Sequence, residues 1–128
     1  ALELGQIEGG FVQGQGWLTM EEVNWNSNGK IMTISPSTYK IPAVSDMPKK
    51  FNVEIFKQGI NKEKVVNKAK TTGEPPLMLA MSVFFAIKDA ISSVGNYKKI
   101  PVLDAPATPE KILMSLNELN NRNNLNKN

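Results

Sequence analysis

The residues best suited to chemistry in this chain are a glutamate and a glutamine that stand beside glycines. Glu74 lies in the segment G-E-P-P-L at residues 73–77, where Gly73 permits an unusual backbone conformation and the two prolines fix φ. The apolar run that follows predicts a buried helix with Glu74 at its N-terminus. The helix N-terminus favours the charged carboxylate there, and poor solvation disfavours it. Since a general base needs that balance, Glu74 is the candidate acid–base residue.

A structural interpretation of Glu74 stays open at this level. Acidic residues are common in the first turn of helices, because they complement the free N–H groups of the helix N-terminus. In that interpretation Glu74 stabilises the start of a helix and takes no part in catalysis.

A glycine-rich segment, G-Q-I-E-G-G-F-V-Q-G-Q-G-W at residues 5–17, is the second candidate. Gln6 and Gln13 are seven residues apart and share a helical face, and each amide can both donate and accept. Neighbouring glycines would let a large polar cofactor approach the backbone. The alternative is tight helix packing through Gly5 with Gly9 and Gly10 with Gly14, at four-residue spacing.

The elements that must position these residues are predicted by periodicity and by turn signals. Apolar spacing predicts a helix over 6–23 despite its glycines. Asn28-Gly29 predicts a hairpin with strands at 22–26 and 30–34. Alternation over 51–56, F-N-V-E-I-F, predicts a further strand.

Two more helices are predicted in the second half of the chain. Prolines at its start and Gly95 after its end predict a helix from Pro75 to about Val94, apolar on nearly every side and therefore buried all round. Thr108 is the predicted N-cap of a last helix through about Leu119. The fold class is therefore α+β or mixed α/β, with one domain over 1–119 and a disordered Asn-rich tail over 120–128.

The segment P-S-T-Y-K-I-P at 36–42 is bracketed by prolines and is predicted to be extended. A Tyr-Lys pair can form a catalytic dyad. Adjacent residues of an extended segment point to opposite faces, so Tyr39 and Lys40 are interpreted as structural.

Composition excludes several kinds of site. The chain has no Cys and no His, so it cannot ligate an iron–sulfur cluster, build the usual zinc sites or carry Ser-His-Asp catalysis. A net charge of +3 with scattered Lys residues does not predict nucleic-acid binding. The longest apolar run, Leu77 to Ile87, is short for a membrane helix. Because Ala1 leads straight into a motif, we expect a piece of a larger, cytoplasmic protein.

Taken in order, these motifs resemble the C-terminal stretch of xanthine dehydrogenases, which are molybdenum hydroxylases. The resemblance is carried by G-Q-I-E-G-G-F-V-Q-G, P-S-T-Y-K-I-P, G-E-P-P-L and L-D-A-P-A-T-P-E-K-I, and it covers the chain from Leu4 to about Leu119. The segment W-L-T-M-E-E is similar to the bacterial form, in which the molybdenum subunit is a separate chain. Lys70-Thr71-Thr72 departs from the Lys-Ala-Val that is common in the family before G-E-P-P.

The resemblance implies roles for two residues. Glu74 matches the general base that removes a proton from a molybdenum-bound hydroxyl, and Gln6 matches a glutamine that hydrogen-bonds at the molybdopterin centre. It assigns no comparable role to Gln13. The implied reaction oxidises hypoxanthine to xanthine and xanthine to urate, with water as the oxygen donor.

The resemblance also implies what lies outside this chain. FAD, 2Fe-2S clusters and NAD belong to partner regions, which are the rest of the molybdenum subunit and an iron–sulfur/FAD subunit. The isolated chain is expected to bind no cofactor or metal and to be inactive. Two alternatives stay open: a related hydroxylase acting on aldehydes or other N-heterocycles, and a non-catalytic interaction module.

Overall fold

Helices are the regular structure of this protein. The computed structural model describes the backbone of residues 1–125 and the side chains of residues 1–121. Its elements in chain order are the helix α1, two short 3-10 turns at Val44–Asp46 and Val66–Lys68, and the helices α2, α3 and α4. The helices span Leu2–Thr19, Glu74–Leu79, Met81–Val94 and Pro109–Leu125.

The predicted α+β class, with a hairpin and short strands, is wrong. Within residues 1–125 there is no strand, and the predicted hairpin is reduced to one isolated antiparallel bridge between Trp25 and Ile31. The turn itself forms, with Gly29 at φ +76°. Both arms of the turn are largely exposed. A two-stranded ribbon with no apolar face to bury is marginal on its own, so the pairing stops at one bridge.

The predicted strand at 51–56 keeps part of its alternation but has no partner strand within the described chain. Phe51 and Val53 are half-buried, and the Phe51 ring lies 5.3 Å from that of Phe11 on α1, centroid to centroid. Ile55 and Phe56 are 41% and 75% exposed. The apolar residues of the alternation therefore identify the side of the segment that faces α1, but the segment lacks the inter-strand hydrogen bonds that define a strand.

The predicted helices exist, with shifted ends. α1 covers Leu2–Thr19 where 6–23 was predicted, and the single helix predicted from Pro75 to Val94 is divided at Ala80 into α2 and α3. α4 begins after Thr108, whose hydroxyl oxygen accepts a bond from the Lys111 N–H at 3.4 Å, and it continues to Leu125. Within the tail predicted to be disordered, 120–128, the residues 120–125 belong to α4. Disorder of residues 126–128 stays a prediction, because they lie outside the described residues.

α1 and α2 approach each other backbone to backbone through glycines. A Cβ added at Gly10 would lie 2.6 Å from the Gly73 carbonyl oxygen, and one added at Gly14 would collide with the Leu77 carbonyl and the Ala80 methyl group. Gly14 and Ala80 are buried. The glycines of α1 therefore allow a contact that no residue with a side chain could make.

A small apolar core lies between α3, α4 and the segment before α4. Its buried members are Ile91, Leu103, Ala107 and Leu119. The Ala107 N–H donates to the carbonyl of Leu18 at 2.7 Å, which ties this core to the end of α1. The core and the α1–α2 contact thus hold α1 from two directions.

The predicted all-round burial of the apolar stretch is wrong within the described chain. Leu79 and Phe85 are 65% and 59% exposed, because α1 and α4 cover α2 and α3 on one side. By length and a mean hydropathy of 1.7, Glu74–Val94 could cross a membrane. The core helix of a soluble protein passes the same test, so this feature is weak evidence. Here the stretch is two helices packed on α1 and α4.

The α1–α2 contact predicts that two glycines of one helix respond differently to alanine. Gly14→Ala should destabilise the contact by about 1–3 kcal/mol, because the methyl group meets the Leu77 backbone. Gly9→Ala should leave the α1–α2 contact unchanged, since no atom of the described chain lies within 4 Å of the added carbon and alanine favours helix by up to about 1 kcal/mol. Hydrogen–deuterium exchange of α1 in the intact protein measures both. Equal exchange rates in the two variants would contradict the packing role of Gly14.

Candidate functional site

One face of α1 presents two free amides over a floor of glycine backbone. Gln6 and Gln13 are exposed, and neither side chain has a hydrogen-bond partner within the part of the chain that is described. Between them, Gly9 has open space where a Cβ would lie, as does Gly5 one residue before Gln6. This stretch of backbone is therefore reachable by a ligand.

The glycines of α1 divide into two groups. Gly10 and Gly14 make the close contact with α2, as the packing interpretation requires, whereas Gly5 and Gly9 face open space, as the ligand interpretation requires. The packing alternative holds for Gly10 and Gly14, and the ligand alternative stays a prediction for Gly5 and Gly9. Packing was predicted for both pairs, Gly5 with Gly9 and Gly10 with Gly14. Only the second pair packs, because Gly5 and Gly9 do not contact another element of the described chain.

Glu74 is the first residue of α2 and is exposed. Its carboxylate makes no hydrogen bond or ion pair with the residues described. The next two residues are prolines without N–H groups, and the N–H of Leu77 already donates to the Gly73 carbonyl at 3.2 Å. A helix-start carboxylate would therefore find few free donors here, which weakens the purely structural interpretation of Glu74.

These residues meet in one cleft. It has a volume of about 580 Å³, and its walls are Gly5, Gln6, Gly9, Gly10, Gln13, Gly73, Glu74 and Leu77. That volume lies within the range of small-molecule and cofactor sites. Gln6 and Glu74, distant in sequence, thus open on the same space. Leu77 supplies an apolar wall that the sequence analysis did not assign; it lies one helical turn after Glu74, which is the signal that identifies it.

The polar side chains of this cleft carry two amides and one carboxylate. Among the described residues no group of three or more acidic side chains is placed to hold a metal ion. The cleft therefore offers hydrogen bonds and one acid–base group.

Tyr39 and Lys40 do not line the cleft, and their side chains contact different residues. The Tyr39 O–H donates to the Glu21 carboxylate at 2.6 Å, and this bond, with some burial, raises the pKa of Tyr39 above its ordinary value. Lys40 pairs with Asp46 at 3.2 Å. The Ala43 N–H and then Lys40 hold the pKa of Asp46 below its usual range. The segment is a turn over residues 35–39 and not extended as predicted, but the two side chains do point to different partners.

Asp46 in turn connects this segment to α1. The side-chain amide of Gln15 donates to the Asp46 carbonyl oxygen at 2.6 Å, and a Cβ on the buried Gly16 would collide with Pro42. The segment 35–46 therefore packs against the last turns of α1 and does not line the cleft.

Known proteins resemble this chain over most of its length. Residues 1–48 match a family described as a molybdopterin cofactor-binding domain. Xanthine dehydrogenase of Oryza sativa subsp. japonica is 45% identical over 126 residues, 90% of this chain. Xanthine dehydrogenase/oxidase of Rattus norvegicus is 49% identical over 117 residues, 88% of this chain. In both cases the chain spans 9% of the length of the relative.

Tyr39 is predicted to be a structural residue. Tyr39→Phe in the intact protein should speed tryptic cleavage after Lys40, because the turn loses its bond to Glu21, and should leave turnover within about twofold of wild type, since Tyr39 does not line the cleft. Tyr97→Phe is the matched control, since its O–H has only a long contact of 3.4 Å to Asp89. A large loss of turnover in Tyr39→Phe would restore the catalytic interpretation.

Proposed function

This chain is a segment of a protein of the xanthine dehydrogenase family, and from that premise we propose that it forms one wall of a molybdopterin site at which a purine ring is hydroxylated. The reaction proposed for the whole protein converts hypoxanthine to xanthine and xanthine to urate, with water as the oxygen donor. The observation that carries the proposal is that Gln6 and Glu74 open on one cleft.

The residues of the cleft fit part of a large polar cofactor. Gly5 and Gly9 leave the helix backbone open, and the Gln6 amide has both its donor and its acceptor free for hydrogen bonds to a ligand. When bound, the molybdenum cofactor supplies the two-electron oxidation of the ring. Gln6 is the residue of this chain that we propose holds it.

Glu74 is proposed to accept a proton. Replacing a ring hydrogen by an oxygen taken from water releases protons, and a carboxylate is a competent acceptor for one of them. Its position suits that role, because no hydrogen bond or ion pair within the described chain occupies its carboxylate. Leu77 beside it is half-buried and provides an apolar wall, which favours an electron-poor ring over bulk water.

The remaining parts of such an enzyme lie outside this chain. The chain spans 9% of the length of these relatives, and a chain without Cys cannot bind the 2Fe-2S clusters that would carry electrons onward. We therefore place the iron–sulfur clusters, FAD and NAD in partner regions. A separate molybdenum subunit of bacterial type, a cytoplasmic location and a purine rather than an aldehyde substrate are parts of the same proposal.

The second candidate is an interaction module without catalysis. The observation that favours it is the amount of exposed apolar surface, which includes Leu79, Phe85 and Ile60. Such surface is equally expected of a segment that spans 9% of its relatives. The two readings differ in whether the cleft residues matter, and a substitution at Glu74 tests that.

Glu74→Gln in the intact protein should lower turnover by at least about a hundredfold, the smallest effect usual for loss of a general base, while molybdenum content stays at the wild-type level. The amide keeps the shape of the side chain and loses its basicity. Steady-state kinetics with xanthine and elemental analysis of the purified protein provide the two measurements.

Glu110→Gln is the matched control. Glu110 is also a glutamate in the first turn of a helix and follows a proline, but it does not line the cleft. Its loss should leave turnover unchanged and cost about 0.3–1 kcal/mol of helix stability. Equal turnover in both variants would remove Glu74 from the reaction and leave it with the same helix-start role.

A further inference from the structure

Gln13 is a third polar group of the cleft, and the proposed function leaves it without a role. It lies on the cleft wall with Gln6 and Glu74, is exposed, and has no hydrogen-bond partner among the described residues. Its backbone position is fixed tightly, because the next residue, Gly14, is pressed against Leu77 and Ala80. A free amide on a rigid wall is a pre-organised hydrogen-bonding group.

The two amides cannot serve the same small part of a ligand. Gln6 and Gln13 are seven residues apart on one helix, which separates them by about 10 Å along its axis. Gly10 lies between them and abuts the Gly73 carbonyl, so the turn that carries Glu74 stands between the two amides. The carboxylate must reach the reacting atoms, and the cofactor is placed at the Gln6 end. The remaining end, toward Gln13 and Leu77, is left for the substrate.

We propose that Gln13 is a specificity-determining residue whose amide binds the lactam edge of the substrate, a ring C=O beside a ring N–H. A primary amide carries a donor and an acceptor side by side, and this pair complements a lactam edge through two hydrogen bonds. Leu77 covers the adjacent apolar ring face. This inference rests on the proposed function, since it takes the substrate to be an oxidised purine.

The test compares two ligands in the intact, cofactor-loaded protein. Urate carries lactam edges, and unsubstituted purine carries none. Gln13→Met keeps the length and helix propensity of the side chain and removes the amide. The dissociation constant of urate, measured by calorimetry, should rise about tenfold, the loss expected for hydrogen bonds to one neutral group, and that of purine should change less than about twofold. Molybdenum content should be unchanged, and kcat/KM for xanthine should fall mainly through KM.

Gln15→Met is the matched control on the same helix. The Gln15 amide is turned away from the cleft and donates to the Asp46 carbonyl, so its loss should loosen the 35–46 segment in hydrogen exchange and leave the binding of both ligands unchanged.

Three outcomes would overturn the inference: unchanged urate binding in Gln13→Met, equal weakening of urate and purine, or loss of molybdenum, which would assign Gln13 to the cofactor. These are distinct from failure of the proposed function, which would appear as full turnover in Glu74→Gln or as a wild-type protein that binds neither ligand. Retained turnover in Glu74→Gln together with selective loss of urate binding in Gln13→Met would contradict the role of Glu74 as a base and support the binding role of Gln13.

Discussion

The contact between the backbones of α1 and α2 is the constraint on which the site depends. α2 has six residues and would not be stable as a helix by itself. It is held because Gly10 and Gly14 let the carbonyl groups of Gly73 and Leu77 approach α1 at distances that any side chain would prevent. The position of Glu74 relative to Gln6 and Gln13 therefore depends on the absence of side chains at Gly10 and Gly14. The cost in helix propensity, about 1 kcal/mol for each interior glycine, is offset by that packing.

Helices and local turns were predictable from the sequence because their causes are local. The Asn28-Gly29 turn, the Thr108 cap, and the prolines and Gly95 at the ends of the helix predicted from Pro75 all act within a few residues. The absence of strands was not predictable, because a strand forms only where a neighbouring strand is available to pair with it. Residues 51–56 show the expected alternation as far as Val53, and no strand of the described chain lies beside them. A segment that covers 9% of its relatives is where such an error is expected. The same fact accounts for Leu79 and Phe85, whose apolar character predicts burial that α1 and α4 do not provide.

The candidate site was predicted in composition but not in arrangement. Gln6 and Glu74 were named from residue type and from a family resemblance, and the structure brings both to one cleft. Their roles remain proposals. What the sequence could not decide was which glycines pack and which stay open, since both patterns have a four-residue period. That choice depends on where α2 crosses α1, which no local signal records. Leu77 was missed although its spacing, one helical turn after Glu74, places it on the same helix face.

The two prolines after Glu74 have a consequence for its chemistry. In an ordinary helix the first-turn N–H groups have no partner in the helix and can bond a nearby carboxylate. Pro75 and Pro76 carry no N–H, and the N–H of Leu77 is already bonded to Gly73. The helix start thus fixes the backbone of Glu74 without binding its side chain. Gly73 serves the same end, because the carbonyl group that accepts this bond is also the one that abuts Gly10. The Gly73 carbonyl group thereby accepts the first hydrogen bond of α2 and packs against α1, while the Glu74 carboxylate faces the cleft.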